Sequence, residues 1–461
     1  MVNSHRQTTD PMKNHLLSSV AAACFCAVSL SLSAKSPSDH QPVRLRVELD
    51  RTMLPAGGTE KAIVKVAFDC IRPPRPEART PVNLTLVLDR SGSMSGEKIA
   101  HAKTAALEAV RRLSADDVFS LVIFDNRVDT LIPACRVGSG RELEHRISSI
   151  HARGGTAIYA GLTQGAAELR RNLEDRRYVH RIVLLSDGLA NEGPSHPEDF
   201  ARLGAALLKE GISVSTIGVG LGFNEDLMTR LAQKSDGNTY FVESSRDLSQ
   251  IFNAELGDVL SVMARRIVLT VEFPEGVRPI GLVGREGFIR GQRAEVELNQ
   301  LYGGQEKFAL VEVEVTTRSA GAEIDIASAS LTYEDTRTQR SNTVRAKGTV
   351  RFTSSRSEVI ASANHQVQAD YAFNVTAMAK ETAITLVDAS RREEAARQMR
   401  ERNAELETMA RTYNNVSVLN LVNTNLAEAT KLETQGLDNA DRKSYRNDSA
   451  QTKNQQSSWG R

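Results

Sequence analysis

Three short stretches of the chain bring together side chains that bind cations. Asp89, Ser91 and Ser93 form an Asp-x-Ser-x-Ser string directly after the apolar run "VNLTLVL", Thr156 follows two glycines in "RGGTAIYAG", and Asp187 closes "RIVLLSDG". These are hydroxyls and carboxylates, with no thiolate or imidazole among them, a donor set that suits a hard cation better than zinc or copper. Magnesium is the first expectation, with manganese or calcium as alternatives. Magnesium keeps several waters and takes few protein carboxylates. Ser91, Ser93 and Thr156 are therefore expected as direct ligands, with Asp89 and Asp187 contacting the ion partly through water. An ion held this way stays electrophilic towards a further anionic oxygen, such as a partner protein's Glu or Asp. Gly92 is expected to let the loop pass close to the ion.

Each piece also has an ordinary reading. Ser93 or Ser95 suits a helix cap, Thr156 another cap, and Asp187-Gly188 a turn. His151, five residues before Thr156, is the histidine nearest the set, and the His-Glu-x-x-His string of a zinc protease is absent from the sequence.

The elements around these loops set their positions. From Val82 to about Leu256, buried apolar runs alternate with amphipathic stretches of helical length, the pattern of a doubly wound, mostly parallel α/β sheet covered on both faces. In such sheets ligands bind beyond the carboxyl ends of the strands, where the strand order reverses. An order of 3-2-1-4-5-6 places the loops after Leu88 and Ser186 side by side.

Two-residue alternation flanks this region, in "VRLRVELD" and "KAIVKVAFD" before it and in five segments from about Arg265 to Thr353 after it. Two strands cannot bury a sheet alone. The α/β domain is therefore expected as an insertion into one β-sandwich of about seven strands built from both flanks. The expected layout is a signal peptide at 1–34, a linker and first strands at 35–81, the α/β domain at 82–256, and the remaining strands at 257–355. A helical region at 356–431 and a disordered tail at 432–461, carrying Trp459, complete it.

The N-terminal signal is read from Lys13, the apolar stretch Leu16 to Leu32, and the small residues before Lys35; the main alternative is a retained anchor. Periplasmic or secreted location follows. Removing residues 1–34, with Arg6 and Lys13 against Asp10, takes 58 basic and 57 acidic residues to 56 of each. A neutral chain gives no electrostatic case for nucleic acid or anionic membrane as partner. Export permits a disulfide between Cys70 and Cys135, with two separate buried thiols as the alternative.

"DRSGSMSGEK", "RGGTAIYAG" and "LLSDGLANEG" resemble the metal-ion-dependent adhesion site of von Willebrand factor type A domains in motif, order and spacing, over about residues 82 to 256. The resemblance implies direct ligation by Ser91, Ser93 and Thr156, with Asp89 and Asp187 in the shell, often through water. The wider layout is similar to bacterial proteins often labelled calcium-activated-chloride-channel-like and to inter-alpha-trypsin inhibitor heavy chains. The function expected is a non-catalytic, divalent-metal-dependent protein-binding module that takes a partner's acidic residue. The alternatives are an envelope scaffold whose metal only stabilises the loops and, more remotely, a metal-assisted hydrolase using His151.

Overall fold

The computed structural model describes residues 42–70, 79–138 and 140–456. The expected signal peptide, nearly all of the polar linker, and Trp459 lie outside the described residues.

The chain opens with strands β1 (Val43–Leu49), β2 (Met53–Pro55) and β3 (Thr59–Cys70), then enters the α/β domain. Its elements are β4 (Val82–Asp89), α1 (Glu97–Arg112), β5 (Val118–Phe124), β6 (Val128–Arg136), α2 (Arg141–Ser148) and α3 (Ile158–Arg170), followed by β7 (Val179–Ser186), α4 (Pro197–Lys209), β8 (Ile212–Val219), α5 (Glu225–Lys234), β9 (Thr239–Val242) and α6 (Leu248–Val259). The sheet order is β6-β5-β4-β7-β8-β9, which in the domain's own count is 3-2-1-4-5-6. Every neighbour is parallel except β6, which is antiparallel to β5.

Strands β4, β5, β7 and β8 are buried along their whole length, which explains their continuous apolar runs. On one face Leu84, Leu86 and Leu88 share a core with α1, α2 and α6. On the other, Val87, Val122 and Leu184 pack with α3, α4 and α5. Helix α1 shows the matching spacing, burying Ala102, Ala105, Ala106, Ala109 and Val110 on one stripe.

After the α/β domain come β10 (Val262–Glu272), β11 (Val277–Val283), β12 (Phe288–Arg290), β13 (Arg293–Tyr302), β14 (Glu306–Thr316), β15 (Glu323–Asp335) and β16 (Ser341–Thr353). The insertion reading holds. Strand β3 pairs antiparallel with β14 from Thr59 opposite Thr316 to Asp69 opposite Glu306, and β2 lies parallel beside β16. The sheets β1-β3-β14-β11 and β12-β13-β10-β15-β16-β2 share one core, in which Val64, Val66 and Phe68 meet Leu269, Val271 and Leu331.

These sheets hold ten strands, not seven. The missed ones are β2, β11 and β12, short or interrupted. Strand β11 carries Pro279 and an irregularity between Pro279 and Gly281, tolerable because it is an edge strand bonded only to β14.

The chain closes with α7 (Arg356–Ala361), α8 (His365–Asp388), α9 (Arg392–Tyr413), α10 (Val416–Gln435) and α11 (Asn439–Lys453). Helix α11 corrects the expected disordered tail. Its Asp438 side chain accepts the Asp441 amide at 2.8 Å, and Tyr445 and Ala450 are buried. Burial of one tyrosine and one alanine is worth only a few kcal/mol. The helix is held instead by charge: Arg442 pairs with Glu225, Asp226 and Asp388, and buried Lys443 donates to the Glu225 carboxylate at 2.6 Å. An expectation built on apolar periodicity has no access to such a helix.

Of the two readings of the cysteines, separate thiols hold, although only Cys70 is buried. Cys70 is buried at the end of β3 in the two-sheet unit, whereas Cys135 is exposed on β6, the edge of the α/β sheet, and no bond joins them.

His180, buried on β7, accepts through Nδ1 from the Asn83 amide at 3.3 Å. Burial, helped by Arg265 and Arg266 against Asp175, lowers its pKa to about 4. Because the folded value lies below the ordinary one, the stability tied to neutral His180 is complete above pH 6.5 and is lost as pH falls towards 4. The loss is about 3 kcal/mol. Denaturant titrations at pH 7 and pH 4.5 should show a smaller drop for His180→Gln than for wild type.

Candidate metal centre

Parallel pairing of β4 with β7, Leu88 opposite Leu185, puts Asp89 and Asp187 at adjacent strand ends. Strand β5 lies on the other side of β4, so the loops meet where the strand order reverses. Both carboxylates are buried, Asp89 at 0% and Asp187 at 1% exposure.

The first loop folds around Asp89. Its Oδ1 accepts the Ser91 amide at 2.7 Å, and its Oδ2 accepts the Ser186 hydroxyl. A short 3-10 turn, Gly92–Met94, then buries Met94 and lifts Ser93 to the surface. The Ser93 hydroxyl donates to Asp187 Oδ1 at 2.7 Å and lies 3.0 Å from the Ser91 hydroxyl. The remaining Asp187 oxygen, Oδ2, is paired with Lys98.

The second loop is pinned against the first by backbone bonds, from Gly92 N–H to the Gly154 carbonyl at 3.0 Å and from Arg153 N–H to the Arg90 carbonyl at 2.6 Å. Asp125, at the end of β5, anchors it. Its carbonyl accepts the Ala157 amide at 2.8 Å, while its carboxylate pairs with Arg90 and Arg153. Burial works to raise the Asp125 carboxyl, but the Arg153 bond, the Arg127 amide and Arg90 outweigh it and hold it below the usual range. Gly154 has φ +75, and a Cβ there would stand 2.6 Å from Asn126 Oδ1.

Thr156, 3% exposed, donates its backbone amide to the Asn191 side-chain oxygen at 2.8 Å. Its hydroxyl makes no hydrogen bond to any of the described residues. The space between the loops is marked by Gly188, whose ideal Cβ would lie 3.1 Å from Thr156 Oγ1 and 3.6 Å from Asp89 Oδ2. The close approach expected of Gly92 therefore falls on Gly188. At Gly92 a Cβ would make only an ordinary 3.6 Å contact.

The capping readings do not describe this geometry. Helices α1 and α3 begin after Gly96 and Ala157, and neither has a side-chain cap bond. The Ser93 hydroxyl is spent within the loop cluster instead, and the Thr156 hydroxyl caps no helix. His151 is exposed, and none of the cluster's hydrogen bonds uses its ring.

Electrostatics favour a cation here. Burial pushes Asp89 up to about 6, the Ser186 and Ser91 bonds pull it down, and the neighbouring Asp187 charge adds to the rise. The donor set is all oxygen, and among the described residues no three His, Cys, Asp or Glu side chains gather into an alternative metal group. A magnesium-like ion fits such donors.

A fourth loop, between β8 and α5, backs the site. A Cβ at Gly222 would sit 2.8 Å from the Asp187 carbonyl, and the neighbouring Phe223 carbonyl accepts from Lys443 of α11 at 2.9 Å. The supporting residues Lys98, Asp125, Ser186 and Asn191 were not singled out by sequence reasoning. For Lys98, Ser186 and Asn191 a signal existed, since all three lie inside the motif strings; Asp125 depends on tertiary pairing.

Residues 83–254 match the family model for the von Willebrand factor type A domain. The chain is 30% identical over 276 residues to the protein sll0103 of Synechocystis sp., covering 58% of this chain and 64% of that one. It is 26% identical over 250 residues to YfbK of Escherichia coli, covering 53% and 42%. To inter-alpha-trypsin inhibitor heavy chain H3 of Mus musculus it is 27% identical over 203 residues, covering 42% and 22%. The chain thus spans less than two thirds of each of these relatives. Among solved structures, a von Willebrand factor type A protein from Catenulispora acidiphila aligns with a TM-score of 0.63 at 16% identity, covering 87% of this chain and 97% of that one. The ArnB paralog VWA2 from Sulfolobus acidocaldarius aligns at 0.57 and 18%, covering 90% and 98%. At these identities the structural likeness is one of fold.

Replacing Asp125 with Ala leaves the buried Arg90 with only the exposed carboxylate of Asp129. We expect a loss of about 2 kcal/mol and faster amide hydrogen exchange at residues 153–157, read by mass spectrometry against wild type. The family match, the sheet order and the loop cluster together make residues 83–254 a von Willebrand factor type A domain.

Proposed function

We propose that the α/β domain is a non-catalytic, divalent-metal-dependent protein-binding module. Ser91, Ser93 and Thr156 are the direct ligands, and Asp89 and Asp187 hold the shell largely through water. The observation that carries this reading is Thr156, a 3% exposed residue whose hydroxyl has no hydrogen bond among the described residues, beside Asp89 and the Ser91–Ser93–Asp187 chain. A bound ion, magnesium first, supplies one electrophilic position for an oxygen from outside. The chain's own residues do the rest: Asp125 and Asn191 fix Thr156, Ser186 orients Asp89, and Gly188 keeps the space between the loops clear.

The partner is a protein presenting an acidic side chain. Support comes from the rim, where Leu189 and Leu221 are 59% and 50% exposed on the loops bordering Asp187 and give apolar contact area beside a charged centre. The basic start and apolar run before Lys35 support a periplasmic or extracellular setting for this activity. No helix among the described residues is long and apolar enough to cross a membrane.

Manganese titration of the full chain, followed by electron paramagnetic resonance up to millimolar metal, tests this reading. Saturable binding is expected in wild type, weakened at least about tenfold by Thr156→Ala, for a loss near 1.4 kcal/mol. Equal binding by wild type and the Asp89→Ala, Asp187→Ala double variant would remove the site. Wild-type binding without magnesium-dependent capture of any protein would leave the scaffold reading.

A further inference from the structure

Lys98 stands on the first turn of α1 and places its ammonium against Asp187 Oδ2, the oxygen that Ser93 does not use. The two ends of this pair differ sharply in exposure. The Asp187 side chain is 0% exposed and the Lys98 side chain 36%. A fully buried carboxylate needs a charged or hydrogen-bonding partner. Among the described residues Lys98 is the only cation paired with either Asp89 or Asp187. The ammonium is therefore already where positive charge is demanded, on the solvent side of the cluster.

Resting on the metal-site reading above, we infer that Lys98 is a resident counter-cation: it holds Asp187 until a divalent ion displaces it, and then gives the partner's carboxylate a second cationic anchor. The charge count carries the argument. Asp89, Asp187 and Lys98 sum to −1, so a divalent ion brings the site to +1, matched by one incoming carboxylate. Without Lys98 the same site goes from −2 to 0, binding the ion more strongly and the carboxylate less. Lysine suits this exchange because its charge is compact, on a flexible four-carbon stem. The ammonium also has a glycine beside it, since a Cβ at Gly220 would lie 3.9 Å from Nζ. Lys98 thus opposes loading by metal alone and favours metal and acidic partner binding together, a coupling that acts equally in both directions.

The test compares wild type, Lys98→Met and Lys98→Arg as full chains at one ionic strength. Manganese affinity is read by electron paramagnetic resonance. Acetate, as the carboxylate probe, is read by its displacement of manganese-bound water in proton relaxation. Lys98→Met should bind manganese about tenfold tighter and acetate at least about threefold more weakly, while Lys98→Arg stays near wild type, because one unit charge at close range is worth at least that much near a surface. Circular dichroism confirms the fold of each variant, and Lys98→Gln replaces Lys98→Met if the latter does not fold. Equal manganese affinities in wild type and Lys98→Met, or unchanged acetate binding, would overturn the role of Lys98 while leaving the metal site intact. Absence of manganese binding in all the variants would overturn both.

Discussion

Two buried carboxylates side by side are the constraint on which the rest depends. Parallel pairing of β4 with β7 fixes Asp89 and Asp187 at adjacent strand ends, and burial denies both of them water. Like charges in such a place cost stability unless hydrogen bonds or a cation offset them. Every neighbouring feature answers that cost. Ser186 and the Ser91 amide serve Asp89, and Ser93 and Lys98 serve Asp187. The same arrangement makes a divalent cation welcome, because it offsets both charges at once.

The surrounding architecture keeps these loops in place. The two-sheet unit is closed by strands from before and after the α/β domain, so the domain is tied at both its entry and its exit. A second tie runs from the far end of the chain. Lys443 on α11 holds the Phe223 carbonyl, and the adjoining Gly222 packs against the Asp187 backbone. The C-terminal helix thus touches the loop behind the site, an arrangement favoured by charge rather than by apolar area.

The sequence was most legible where periodicity and motif coincide. The buried strands β4, β5, β7 and β8 read as continuous apolar runs, and alternation with helices gave the doubly wound sheet in which an order of 3-2-1-4-5-6 was assumed and is found. That order brings the Asp89 and Asp187 loops together, whereas the Thr156 loop joined them only through its motif. Illegible features shared a cause: they are decided by partners distant in sequence. Strand β11 exists because β14 offers it an edge despite Pro279, and α11 exists because Glu225, Asp226 and Asp388 meet Arg442 and Lys443. The absence of a Cys70–Cys135 bridge likewise reflects placement in different sheets, which cysteine counting cannot reveal. Gly92 and Gly188 show the same limit at the scale of one residue, since only the folded loops reveal which glycine the space requires.

The most direct measurement is a crystal structure of the full chain grown with manganese, with anomalous diffraction recorded at the manganese edge. The account predicts a single strong peak within coordination distance of the Ser91, Ser93 and Thr156 hydroxyls, with Lys98 moved off Asp187. A loop cluster with no anomalous peak at saturating manganese, its Lys98–Asp187 pair still closed, would contradict it.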